Sequence, residues 1–150
     1  MKVEPHLQFK GNCREAFSYY VDTLGAEILN ILSYGESPAS QQVSHEMQDW
    51  VVHATLRLGN LQIAGADIPD YNESPSGFQL LIQLETPDRA KEIFNSLADG
   101  GRVVMPLQET FWSPCYGMVS DRFGVPWEVN CAPNECFSNR RSGFTQNQQP

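Results

Sequence analysis

Trp50-Val51-Val52-His53-Ala54-Thr55-Leu56-Arg57-Leu58, then Gly59-Asn60, then Leu61-Gln62-Ile63-Ala64-Gly65-Ala66, is the stretch that decides the fold. In its first run Val52, Ala54, Leu56 and Leu58 alternate with Val51, His53, Thr55 and Arg57, the period of a strand with an apolar face and a more polar one. Gly59-Asn60 fits a hairpin turn, and Leu61 to Ala66 returns as the next strand. Toward the N-terminus, Ala26 to Ser33 is apolar enough for a further strand, and Gly35 to Asp49, rich in Ser, Pro, Gln and charge, reads as a long loop. Asn12 and Glu15 form a capping pair, and Ala16, Phe17, Tyr20 and Leu24 follow at helical spacing before Gly25, which predicts a helix over 13–24. Val3 to Phe9 sets Leu7 and Phe9 against His6 and Gln8 and reads as the first strand. The order is β-α-β-β-β.

The same order then begins again. Asp67 to Ser76, polar and containing Pro69 and Pro75, suits a linker, and Phe78 to Leu84 reads as a strand. Thr86-Pro87 supplies an N-cap and a first-turn proline for a helix whose stripe is Ala90, Ile93, Phe94 and Leu97, ending at Gly100-Gly101. Arg102 to Leu107, Tyr116 to Ser120 and Trp127 to Asn130 supply three more strands. Phe17, Tyr20, Val21 and Leu24 fall 73 residues before Ala90, Ile93, Phe94 and Leu97, and Arg57-Leu58-Gly59 matches Arg122-Phe123-Gly124. The expected class is therefore α+β: one domain over 1–131, with βαβββ modules of about 1–67 and 77–131 forming a concave mixed sheet covered by helices on one face. The tail, 132–150, has little apolar content and is expected to be partly disordered.

Composition narrows the partners. Eighteen acidic residues against 10 basic ones give a formal charge of −8, and no Lys/Arg run is present, so nucleic acid and membrane surfaces are poor partners. Met1-Lys2-Val3-Glu4-Pro5-His6 lacks an apolar signal core, and a cytoplasmic location is expected. The 4 cysteines, Cys13, Cys115, Cys131 and Cys136, form no Cys-x-x-Cys pair and read as reduced thiols.

Strand parity gathers polar side chains on the face away from the helices. With Leu7 and Phe9 turned to the first helix, His6 faces the other way, and the 73-residue offset maps it onto Gln79. Glu128, between Trp127 and Val129, faces the same side, and its counterpart in the first half is read as Gln62, between Leu61 and Ile63. His53, beside Thr55, also falls on a polar face and is a general-base or substrate-binding candidate as well as a structural one. Phe111, Trp112 and Tyr116 can wall a cavity for a flat or apolar ligand, whereas Trp127 belongs by parity with the helices. Cys115 has no adjacent cation to activate it.

The segments Phe9-Lys10-Gly11-Asn12-Cys13-Arg14-Glu15-Ala16-Phe17, His53-Ala54-Thr55-Leu56, Pro106-Leu107-Gln108-Glu109-Thr110-Phe111-Trp112 and Asp121-Arg122-Phe123-Gly124-Val125-Pro126-Trp127 resemble the PhnB-like branch of the vicinal oxygen chelate (glyoxalase/bleomycin resistance/dioxygenase) superfamily. The resemblance spans about residues 3–131. It implies paired βαβββ modules, a homodimer, and a small-molecule ligand or substrate. It further implies a divalent metal (Zn, Ni, Co, Mn or Fe) held by His6, Gln62, Gln79 and Glu128, with no organic cofactor. His53 then becomes the proton-transfer or binding residue of a lyase, isomerase or dioxygenase. The alternative is a non-catalytic binding protein that sequesters an antibiotic or other small molecule, the polar quartet serving as its hydrogen-bonding lining.

Overall fold

A computed structural model describes residues 1–71 and 75–131. The elements are β1 (His6–Phe9), α1 (Cys13–Leu24), β2 (Glu27–Ser33), β3 (Val51–Leu58), β4 (Leu61–Asp67), β5 (Leu80–Leu84), α2 (Pro87–Ala98), β6 (Arg102–Thr110), β7 (Ser113–Ser120) and β8 (Pro126–Cys131). The βαβββ order occurs twice, as the repeat predicts. The chain divides into two units, one of Met1–Pro75 with Phe123–Val125, the other of Ser76–Arg122 with the chain from Pro126.

In the first unit the sheet order is β1-β4-β3-β2, with β1 parallel to β4 and the other neighbours antiparallel. The stripe Ala16, Phe17 and Tyr20 of α1 is buried together with Leu7, Phe9, Ala54, Leu56 and Ile63 of the sheet, which makes this face the core. Phe17 meets Phe9 edge to face at 6.2 Å. Gly65 on β4 makes the approach possible, since a Cβ there would stand 2.5 Å from Phe17 Cζ.

The cap of α1 differs from the sequence reading. Asn12 makes no side-chain cap bond. Asp67, read as the start of a linker, is instead the buried last residue of β4, and its Oδ1 accepts from the backbone N–H groups of Gly11 at 2.8 Å and Cys13 at 3.0 Å. Its Oδ2 accepts from Val51 N–H at 2.8 Å. One carboxylate thus satisfies donors at the start of α1 and of β3, and its negative charge suits the helix N-terminus. Such a cap lies over 50 residues away in sequence, beyond any local motif.

Several strand assignments also shift, and β6 and β7 each run three residues further toward their shared hairpin than the sequence reading placed them. The first strand begins at His6, just after Pro5, whose carbonyl still accepts from Ala64 N–H at 2.9 Å although its ring nitrogen has no N–H to donate. Val51, assigned to the polar face, is fully buried, because the β2–β3 register slips between Leu32 and Ser33 and breaks the alternation there. Phe78, read as a strand residue, lies before β5 and is exposed. The loop before β3 contains 3-10 turns at Ser40–Gln42 and His45–Met47, and Gln48 Nε2 ties it to Ser40 O at 2.8 Å.

In the second unit the order is β5-β8-β7-β6, again with a parallel first pair. Thr86 caps α2 as expected, its hydroxyl accepting from Arg89 N–H at 3.3 Å, with Pro87 in the first turn. Ala90, Ile93, Phe94 and Leu97 are buried, as are Val119, Trp127 and Val129 of the sheet. Trp127 takes the parity assigned to it, and its indole N–H donates to Asp121 Oδ2 at 2.9 Å.

The matched turns keep their local chemistry. Gly59 and Gly124, with φ of 59° and 83°, hold the left-handed backbone that a turn needs and a side chain resists. The arginine before each, Arg57 or Arg122, pairs with an acid beyond its unit's helix, Glu27 or Asp99. Residues 72–74 of the expected linker and the tail 132–150 lie outside the described residues.

Candidate functional site

Each sheet has a face turned away from its helix, and the ladders order the side chains on it into rows. In the first unit one row is His6, Ala64 and Thr55, a second contains Gln8 and Ala66, and a third pairs Gln62 with Arg57. Extending the β3–β4 ladder by one residue beyond Ala54↔Gly65 brings His53 into the row of Ala66. His53 Nε2 lies 3.4 Å from Thr55 Oγ1. The His6 imidazole is held below its ordinary range, first by burial and then by the nearby charge of His53, so it is neutral at neutral pH. Gln62 has a different neighbour: the Lys2 ammonium donates to its Oε1 and also pairs with Glu4 at 2.7 Å.

In the second unit the rows are Leu81, Glu128 and Met118, then Gln83, Asn130 and Tyr116, with Pro126 and Ser120 paired beyond them. Gln79, one residue before β5, reaches the middle row, its Nε2 lying 3.3 Å from Met118 Sδ. Glu128 stands beside the Tyr116 phenol. Burial first, then the hydrogen bond to Glu128 and its negative charge, push that phenol above its ordinary range. Tyr116 meets Trp112 at 5.3 Å and Trp112 meets Phe111 at 4.6 Å, both edge to face, so the aromatic run of the β6–β7 hairpin forms a wall, with Trp112 half exposed.

The expected quartet divides two and two: His6 and Gln62 in the first unit, Gln79 and Glu128 in the second. With His6 and Gln79 as equivalents, the parallel ladders pair Ala64 with the position of Pro126, and Ala66 with that of Glu128. Gln62 lies two residues to the other side. The sequence offset had matched turns of unequal length, two residues between Leu58 and Leu61 but five between Ser120 and Pro126, and that difference displaced the match. The imidazole beside the Glu128-equivalent position is that of His53.

In the first unit the neutral imidazole of His6, and in the second the amide oxygen of Gln79 and the carboxylate of Glu128, are each donor types that a divalent ion accepts. Gln62 Oε1 accepts from the Lys2 ammonium, a contact between exposed groups at the start of the chain. Among the described residues no group of three or more His, Cys, Asp or Glu gathers into a metal cluster.

Two features were missed or undervalued in the sequence. Tyr116 stood out only as one of several aromatics, yet it is the phenol that stands beside Glu128 and feels its charge. Asn130 was not singled out, although counting two residues on from Glu128 along the strand would have found it. Cys115 lies on the helix side, where burial and then Cys131 push its thiol up, in keeping with its omission from the reactive set. A separate hollow of about 550 Å³ opens on that side between α2 and β6, lined by Lys91, Phe94, Val103, Leu107 and Glu109.

Residues 1–130 match the 3-demethylubiquinone-9 3-methyltransferase family. Protein YjdN of Escherichia coli K12 is 41% identical over 139 residues, 87% of this chain and 95% of that protein. A crystal structure from Pseudomonas aeruginosa has 39% identity and a TM-score of 0.79 over 89% of this chain and 99% of that one. A PhnB protein from Bacillus cereus has 26% identity and a TM-score of 0.75 over 88% of this chain and all of that one (100%). The fold extends to the fosfomycin resistance protein FosX of Listeria monocytogenes, whose structure is a complex with Mn(II) and sulfate. It aligns at 10% identity with a TM-score of 0.60 over 90% of this chain and 94% of that one. Among the described residues no helix is long and apolar enough to cross a membrane.

Proposed function

Because this chain belongs to the 3-demethylubiquinone-9 3-methyltransferase family, the PhnB-like branch of the vicinal oxygen chelate superfamily, we propose that it is a glyoxalase-like enzyme acting on a small molecule, with Glu128 as its central acid–base or ion-holding group. The observation that carries this reading is the Glu128 carboxylate beside the Tyr116 phenol on a helix-free sheet face, in reach of the aromatic wall. His6, Gln79 and Glu128 would hold a divalent ion. When bound, such an ion would polarise a substrate oxygen, the chemistry of a lyase, isomerase or dioxygenase.

The remaining roles belong to the chain's own side chains. His53, with Nε2 near the Thr55 hydroxyl, takes or returns a proton. His6 stays neutral and offers a lone pair. Tyr116, with its phenol beside the Glu128 carboxylate, is placed to orient it. Gln62, proposed from the sequence as a fourth ligand, serves better as the seat of Lys2.

A second reading, a non-catalytic protein that sequesters a small molecule, draws support from that Lys2–Gln62 contact, which sets a cation where the four-ligand pattern needs an empty oxygen. Calorimetric titration with Mn(II), Zn(II) and Ni(II) separates the two. The enzyme reading expects one ion per chain, with affinity falling at least tenfold in His6→Ala and in Glu128→Ala but little in Gln62→Ala. Wild-type protein that retains no ion after loading and desalting would leave only the sequestering reading. The reading includes a homodimer in the cytoplasm. Light scattering should give about twice the 16.9 kDa chain mass, and a clean monomer would remove that part.

A further inference from the structure

Among the described side chains on the second unit's helix-free face, Asn130 is the one left with a buried atom lacking a hydrogen-bond partner. Only 8% of its surface is exposed. Its Nδ2 donates to Gln83 Oε1 at 2.6 Å, and its Oδ1 is buried with no partner. A buried amide oxygen without a donor is costly and uncommon in native proteins, so something outside the chain is expected to satisfy it. The position limits what that is. Asn130 alternates with Val129 and Cys131 of the core and so shares the face of Glu128, and it pairs directly with Tyr116 across the β7–β8 ladder. The Tyr116 ring is therefore its immediate neighbour, with Trp112 packed against that ring at 5.3 Å.

We infer that Asn130 is a ligand anchor, its Oδ1 accepting a hydrogen bond from an N–H or O–H group carried by a planar ring that lies along Tyr116 and Trp112. This rests on the reading of the Glu128 face as the ligand face, and it adds the substrate class: flat, conjugated, and bearing a donor at its edge. A site built to satisfy a buried acceptor discriminates strongly against an analogue without the donor, because that analogue leaves the acceptor unpaired. Gln79 is poised to adjust to the same ligand, since its Nε2 is spent on a thioether sulfur, a weak acceptor.

The test uses the full chain labelled with 15N, kept in EDTA so that no ion takes part, and two pairs of probes that differ in one donor group: benzamide with methyl benzoate, and phenol with anisole. Benzamide and phenol should each shift the Asn130 side-chain amide and Trp112 indole signals and bind about tenfold more tightly than their partners. Asn130→Ala should erase that preference. Asn130→Asp, which keeps an acceptor at the position, should retain it, and this also guards against a variant that merely loses its fold. Equal binding within each pair, no binding by any probe, or an unchanged preference in Asn130→Ala overturns the inference. A preference that persists in protein unable to bind Mn(II) removes the ion reading alone, and an ion response without donor preference removes Asn130 alone.

Discussion

Replacing Asp67 by Asn should cost the fold far more than the exchange of one atom suggests. The carboxylate is 1% exposed and accepts three backbone hydrogen bonds, from Gly11 and Cys13 at Oδ1 and from Val51 at Oδ2. An amide keeps one accepting oxygen and sets an NH2 group in place of the other. Whichever way it turns, at least one buried N–H then faces a donor, and the bonds that survive lose their charge assistance. A hydrogen bond to a charged group contributes roughly 1.5–3 kcal/mol, and leaving a buried donor unpaired costs about 1–3 kcal/mol. Asp67→Asn should therefore destabilise by about 2–3 kcal/mol, and Asp67→Ala, which abandons all three donors, by about 4 kcal/mol. At roughly 2–4 °C per kcal/mol for a chain of this size, the Asn variant should melt about 5–10 °C below wild type by circular dichroism. Hydrogen exchange should place the loss at the Gly11, Cys13 and Val51 amides. If Asp67→Asn melts within about 1 °C of wild type, the carboxylate is not the tie between β4, α1 and β3 that its geometry describes.

Two further outcomes follow from neighbouring groups. The Cys13 thiol is pushed up to about 12 by burial and then by Asp67, so native protein treated with iodoacetamide at about pH 8 should leave Cys13 unmodified while unfolded protein is alkylated there, as peptide mass spectrometry reads directly. Native-state modification at the rate of an exposed thiol would contradict the burial. His6 should titrate below 6.5 by NMR, and His53→Gln should raise its midpoint by removing the neighbouring charge. Because the folded state depresses this pKa, the unfolded chain binds more protons, so the stability His6 contributes is present above pH 6.5 and lost as pH falls through the lower folded value. A midpoint at or above 6.5 would break the reading.

The core was legible in the sequence because burial imposes a period. Ala16, Phe17 and Tyr20 in one helix and Ala90, Ile93, Phe94 and Leu97 in the other are buried as the stripes require. Thr86 capped its own helix because the signal is local, three residues from its donor. The Asp67 cap was hidden, since the carboxylate reaches Gly11 and Cys13 only once β4 has folded beside β1. Val51 escaped for a related reason: a register slip in a neighbouring strand cannot be counted along β3 itself. In the candidate site, parity put His6, His53 and Glu128 on their helix-free faces, but the match of Gln62 to Glu128 depended on register. Register is a property of paired strands and turn length, neither of which one strand's pattern contains.

The asymmetry between the modules has a physical basis that bears on function. Against the helices the repeat is constrained: Gly65 leaves room for Phe17, and Gly117 for Phe94, whose Cε2 would stand 2.8 Å from an added Cβ. On the other faces no helix of the described residues sets the side-chain volumes, and equivalent positions differ in kind, Ala66 against Glu128 and His53 against Met118. The two faces carry different chemistry: the first has the imidazoles of His6 and His53, the second a carboxylate, a phenol and an amide with an unsatisfied acceptor. The polar groups that packing does not require, Glu128 and Asn130 first among them, are therefore where substrate specificity is to be sought.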